Sequence, residues 1–137
     1  MLRAAALLIL IAGAAPSHPS FLTGFWFGQG EPHDKSEMWL AHAYPNGDFA
    51  VQFRACRRGE KGKQAPDLFQ KGRWWFRDGI ETVQITLSNG LIVFDETPYK
   101  ILSHDGNHQT YSMPSGFVFR SARVDAKFKM PDCDLVS

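Results

Sequence analysis

The stretch Pro45-Asn46-Gly47-Asp48-Phe49-Ala50-Val51-Gln52-Phe53-Arg54 decides how the chain is read. Four turn-forming residues lead into a run in which Phe49, Val51 and Phe53 share one phase while Gln52 and Arg54 share the other. A period of two marks a half-buried strand, and Asn-Gly supplies the positive φ angles that tight hairpins require. The apolar set should face a core and the polar set solvent, because a slip of one residue would invert both.

The same grammar extends in both directions. Residues 22–30 and 37–44 precede this run; 68–76, 80–87, 91–95, 99–104, 108–113 and 117–123 follow it, divided by Arg77-Asp78-Gly79, Ser88-Asn89-Gly90, Pro98 and Asp105-Gly106-Asn107. With 49–56 this makes nine short strand segments, give or take about one. Val83, Ile85 and Leu87 oppose Thr82, Gln84 and Thr86, so the first set should point inward. Trp74 and Trp75 are adjacent and must take opposite faces, one in the core and one outside or at an edge.

No helical stripe follows the N-terminal segment. Successive strands joined by short turns are antiparallel neighbours, and a meander of this length curls until its margins meet. The expected fold is all-β: a single antiparallel up-and-down β-barrel of about 8 to 10 short strands, preceded by a signal-peptide helix.

Residues 1–15 carry the marks of that signal peptide. Arg3 is the one cation, the run from Ala4 to Ala15 is uncharged, and Ala12 and Ala14 form an A-x-A-like site before Pro16. Cleavage is expected after Ala14 or Ala15. The apolar run falls short of the roughly 20 residues that span a bilayer, so no transmembrane anchor is expected after processing. The product is read as exported, periplasmic or secreted, with a flexible leader at 16–20, the barrel at 21–124 and a C-terminal tail at 125–137.

Of 15 Lys and Arg, processing removes Arg3, which leaves the basic residues equal in number to the 14 Asp and Glu. That balance leaves no nucleic-acid footprint. The positive charge gathers between Arg54 and Arg77, and the loop 57–63 is a candidate contact for a protein or envelope surface.

Cys56 and Cys133 are the two cysteines, and an oxidising compartment favours their pairing, with a free thiol or an intermolecular bridge as the alternatives. Cys56 shares the outward phase of Gln52 and Arg54. The segment bearing Cys133 must then cross the barrel's exterior, and its alternation of Val124, Ala126, Phe128 and Met130 with Asp125, Lys127 and Lys129 predicts an extended strand lying on the wall.

Gly24-Phe25-Trp26-Phe27-Gly28-Gln29-Gly30 contains a G-x-W core that resembles the first-strand motif of lipocalins and their calycin relatives. The longer G-x-W-x-G-x-G form is similar to the start of nitrobindin-type haem barrels. The run Trp75-Phe76-Arg77-Asp78-Gly79-Ile80 resembles the middle segment of the small barrels that inhibit bacterial metalloproteases. The lipocalin resemblance implies that Trp26, following Gly24, closes one end of the barrel and packs against an Arg of the last strand. Arg123 is the expected partner, with Arg120 in reserve. The T-D-Y signature of lipocalins and a late-strand His matching the nitrobindin haem ligand are both absent, and no cofactor is expected.

Chemistry-bearing residues are sparse. His104 and His108 flank a turn and bring at most two imidazoles and one carboxylate together, short of the three or four ligands of a metal site. His33 and His42 have no matching partners. Asp95 and Glu96 are adjacent, so on a strand they face opposite ways and cannot act as an acid/base pair. Ser115 lies in a Pro-Ser-Gly turn without a nucleophile-elbow sequence. Neither a metal nor an enzymatic activity is expected.

Eleven Phe, four Trp and three Tyr in so short a chain either fill the barrel or line one small-molecule cavity. The leading expectation is an exported, non-enzymatic, lipocalin-like protein binding a small hydrophobic ligand, lined by Trp39, Phe49, Phe53, Phe94 and Tyr99. The alternative is a solid barrel acting through its surface, as an envelope-associated or protease-inhibitor-like protein. A cavity well below about 300 Å³ would favour the second.

Overall fold

The computed structural model describes residues 14–31, 34–56 and 66–133. The first thirteen residues of the expected signal peptide, His33 and the basic loop 57–63 lie outside the described residues. Eight strands follow in order: β1 (Gly24–Glu31), β2 (Asp34–Ala43), β3 (Asp48–Ala55), β4 (Leu68–Arg77), β5 (Ile80–Ser88), β6 (Leu91–His104), β7 (His108–Ser112) and β8 (Val118–Val124). Each pairs antiparallel with the next, and β8 returns to β1, closing the barrel.

Turn chemistry explains the hairpins. Asp78-Gly79 and Asn89-Gly90 both hold two successive positive φ angles, the mirror-image turns whose twist matches that of the flanking strands. The opening hairpin works differently from expectation. Of Asn46 and Gly47 only Gly47 has positive φ, and Gly47 N donates to Tyr44 O at 3.0 Å while Tyr44 N donates to Asp48 O at 2.9 Å. That is a three-residue loop ending in a left-handed glycine.

Two sequence expectations fail for a common reason, a local break in simple alternation. Residues 91–95 and 99–104 are one strand, β6, with Pro98 inside it opposite Thr82. Beyond Pro98 the other margin of β6 pairs with β7 only from Lys100 onward, so a missing N–H on that side interrupts no ladder. In β5, Ile85 faces Gly72 and Leu87 faces Lys71, which leaves Thr86 as a bulge. The bulge turns Leu87 outward, where it is 39% exposed, rather than inward with Val83 and Ile85.

The apolar core gathers at one end. Leu22, Ala43, Val51, Trp74, Val83 and Ile85 form the buried cluster, with Phe21, Phe49 and Phe76 against it. Trp74 takes the inward face and is fully buried, while Trp75 is half-buried. Burying an indole of roughly 150 to 250 Å² stabilises by about 4 to 6 kcal/mol. Its N–H is satisfied by Tyr44 O at 2.8 Å.

The segment expected as a flexible leader instead seals this end. Ser17 N donates to Phe76 O at 2.9 Å and Phe76 N to Ser17 O at 2.8 Å. His18 Nε2 lies 2.8 Å from Trp74 O, and Phe21 stacks on His104 at 4.1 Å. Two backbone hydrogen bonds, one side-chain hydrogen bond and one ring stack fix the chain before β1 begins.

Cys56 and Cys133 are joined in a disulfide, Cα–Cα 5.4 Å. The bond agrees with an oxidising, exported environment. The tail reaches it across the outside, but as an irregular segment with a turn at Ala126-Lys127, not as the expected strand. Asp125 makes the turn, its Oδ1 accepting from Lys127 N at 2.8 Å. With no ladder to join, the tail is held by side chains. Phe128 packs on Phe27 at 4.9 Å, Met130 is buried, and Arg54 Nη1 donates to the carbonyls of Met130 and Pro131 at 3.3 and 3.1 Å.

Replacing both cysteines (Cys56→Ser with Cys133→Ser) opens a loop with a sequence separation of 77. Urea unfolding is expected to show a loss of about 4 kcal/mol in the chain-entropy estimate, with the far-UV β signature unchanged below the transition.

Candidate functional site

The seam where β1 meets β8 was anticipated from the G-x-W motif, and its geometry is now explicit. Trp26 faces Arg123 in register, and the Arg123 Cζ lies 4.4 Å from the centroid of the indole. Arg123 Nε donates to Gly106 O at 2.7 Å, and its terminal nitrogens donate to the carbonyls of Thr23, Phe21 and Ser20. Arg120, the reserve, is exposed. The glycines of the motif make room for large neighbours. A Cβ on Gly24 would sit 2.6 Å from Arg123 Nη1, and one on Gly28 would sit 1.9 Å from the Trp39 ring.

Above this closed end the interior is hollow. A cavity of about 440 Å³ is walled by Trp26, Trp39, Phe49, Val51, Phe53, Val83, Ile85, Tyr99, Tyr111 and Phe119. It extends to Glu37, Ala55, Gln70 and Met113 near the opposite strand ends. Four of the five expected lining residues are there: Trp39, Phe49, Phe53 and Tyr99. Phe94 is not, and is 73% exposed. Tyr99 points inward, and on one continuous β6 a residue an odd number of positions away must point outward.

Three aromatic contacts join four rings into a continuous wall. Trp39 meets Phe119 edge-on at 5.8 Å, Phe119 stacks on Tyr111 at 5.7 Å, and Tyr111 meets Tyr99 edge-on at 5.4 Å.

Polar groups sit among these rings. Glu81, on β5 in register with Tyr99, is 8% exposed and makes no hydrogen bond or ion pair among the described residues. Burial pushes its carboxyl up to about 7. Burial, reinforced by the Glu81 charge, also raises the phenols of Tyr99 and Tyr111. Gln109 and Ser121 face each other across β7 and β8, both line the cavity, and Gln109 Oε1 and Ser121 Oγ are buried without a hydrogen-bond partner. Ser121 lies close enough to Tyr111 to oppose its shift, but not in hydrogen-bonding geometry.

Sequence reasoning passed over Glu81, Gln109 and Tyr111. The signal was present: Glu81 is in phase with Val83 and Ile85, and Gln109 and Tyr111 with Met113. A charged residue on an inward phase is the informative exception to the buried-apolar rule.

The remaining candidates lie elsewhere. Asp95 lines the cavity while Glu96 turns outward, near Gln84 Nε2 at 3.4 Å, so the two carboxylates are separated as expected. His108 Nδ1 lies 3.5 Å from Asp105 on an exposed turn, and Ser115 sits in the exposed turn closed by Gly116 N and Met113 O at 2.9 Å. No group of three or more His, Cys, Asp or Glu able to hold a metal occurs among the described residues. Outside the barrel, Leu91, Ile92 and Phe94 leave an exposed apolar edge at the β5–β6 hairpin.

Searches against protein-family models, curated proteins and solved structures find no match to the chain.

A carboxyl whose pKa is higher in the fold than in the unfolded chain holds an extra proton in the fold. Its contribution to stability is therefore full below the ordinary 4.5 and lost as pH rises through about 7. Glu81→Gln should remove this dependence: equal urea midpoints near pH 4.5, and a more stable variant at pH 8, by up to about 3 kcal/mol.

Proposed function

We propose that the chain is an exported, non-enzymatic, lipocalin-like binding protein that holds one small, largely apolar molecule inside its barrel. The observation that carries this reading is the cavity of about 440 Å³, walled by aromatic side chains and set above a sealed floor. Ligand sites run from about 300 Å³ upward and combine apolar walls with a few placed polar groups. A barrel of about eight strands has room for one such molecule.

Supporting the lipocalin-like reading are the Trp26–Arg123 pair at the barrel's closed end and the single up-and-down meander. Export is supported by the apolar N-terminal run with its A-x-A-like site, together with the disulfide. A non-enzymatic role is supported by the separation of Asp95 from Glu96 and by the position of Ser115 in a surface turn.

The neutral fluorophore N-phenyl-1-naphthylamine should bind saturably, one molecule per chain, with a rise in emission. Ala41→Trp, which adds an indole to the lining beside Trp26, should abolish the signal while the thermal transition persists. Mass spectrometry of protein purified from its native compartment should release a bound small molecule. No binding by the wild-type protein, or equal binding by the filled variant, would discard the reading in favour of a surface role.

A further inference from the structure

We propose that the ligand is an organic cation: an apolar or aromatic amine whose ammonium group lies at the cavity floor against Glu81. This rests on the reading of the barrel as a ligand holder and specifies the chemistry of that same site.

Among the described residues the floor presents a carboxylate and an orphaned amide oxygen with no cation beside them. Glu81 opens β5 and Gln109 opens β7, so both stand near the closed end, with Ser121 in register with Gln109. Their side chains are 8%, 6% and 4% exposed respectively. Gln109 Oε1 is buried without a donor, and among the described residues no cation meets the Glu81 carboxylate. A protonated amine brings three N–H donors and one positive charge, which answers both deficits in a single group.

The balance of charge around the cavity points the same way. Among the described residues its lining holds three carboxylates, from Glu37, Glu81 and Asp95, and one basic group, Arg54. Arg54 is already engaged. Its Nε and Nη2 hold Asp67 at 3.1 and 2.9 Å, and Nη1 holds the tail carbonyls of Met130 and Pro131. No Lys or His among the described residues lines the cavity. A fatty carboxylate would bring a second negative charge beside Glu81 without a cation to receive it.

The walls suit a cation as well. Tyr99 and Tyr111 border the floor, and their ring faces attract positive charge, most strongly where water is excluded. The apolar body of the ligand would then extend toward Phe49, Phe53 and the mouth. Binding would also relieve the isolated carboxylate, since a cation beside Glu81 draws its raised pKa back down and expels a proton at neutral pH.

Isothermal titration of octylamine, 1-octanol and octanoate into the whole processed chain at pH 7 tests this. Octylamine should bind most tightly and, in buffers of different ionisation enthalpy, should release a proton that 1-octanol does not. Glu81→Gln should weaken octylamine about ten-fold, as expected for losing a charged hydrogen bond, and leave 1-octanol unchanged. Gln109→Leu, which removes an orphaned acceptor without adding charge, should weaken octylamine several-fold and serves if the first variant does not fold. Equal or tighter binding of 1-octanol or octanoate, or octylamine affinity indifferent to both substitutions, would overturn the amine assignment and leave the cavity reading intact. Failure of all three probes together with the neutral fluorophore would overturn both.

Discussion

Closing a sheet into a barrel requires the first and last strands to meet, and here they meet over a short distance. β1 and β8 share three registered pairs, Phe25 with Val124, Trp26 with Arg123 and Phe27 with Ala122. β1 and β2 share seven. Beyond Phe27 the seam opens into a cleft lined by Gly28, Gln29, Arg120 and Ser121. So short a ladder contributes few hydrogen bonds against the entropy of joining strands from opposite ends of the chain. Arg123 supplies the difference. Its guanidinium covers the Trp26 indole and donates to carbonyls on both sides of the seam, from the segment before β1 and from the β6–β7 turn. Loss of that one side chain would leave two half-buried acceptors, Phe21 O and Thr23 O, without this donor at the point where the sheet must close.

Much of this was legible from residues alone, because hairpins and alternation are local. Phe49, Val51 and Phe53 line the interior as their phase requires, and Trp26 meets the anticipated Arg123. What was illegible depends on neighbours that a single segment does not display. Pro98 reads as a break unless one knows that the margin beside it lacks a partner strand, and that misreading places Phe94 in the cavity. Leu87 follows Val83 and Ile85 in phase until the bulge at Thr86, which nothing in 80–88 announces. The straps were hidden for a related reason. Residues 17–22 and 125–133 have weak local preferences and take their shape from the barrel they lie against, through Phe76, Trp74, Phe27 and Arg54.

These straps divide the work of the fold unequally between its ends. The first brings Leu22 beneath the barrel, beside Trp74, and both are almost completely buried. The second covers the outer face of β1 and is fixed at Cys56 by the disulfide and at Arg54 by hydrogen bonds. Asp67 completes that anchor. The Arg54 guanidinium, with Gln52 assisting, holds its carboxyl below the ordinary carboxylate range. With the floor sealed and one wall clamped from outside, stability is concentrated at the closed end and along the tail.

That concentration explains how the upper interior can stay open. Empty space inside a barrel forgoes dispersion contacts, and a lone carboxylate among aromatic rings opposes folding at neutral pH. Glu81 could be replaced by an apolar residue in phase with Val83 and Ile85 without disturbing any hydrogen bond among the described residues. A sequence selected for stability alone would have little reason to keep an ionisable group there, or Gln109 Oε1 without a donor beside it. Departures from local consistency of this kind gather where a protein meets something other than itself. The packing of the chain does not account for the conjunction of hollow, aromatic wall and unpaired acceptors, whereas the ligand site proposed above would.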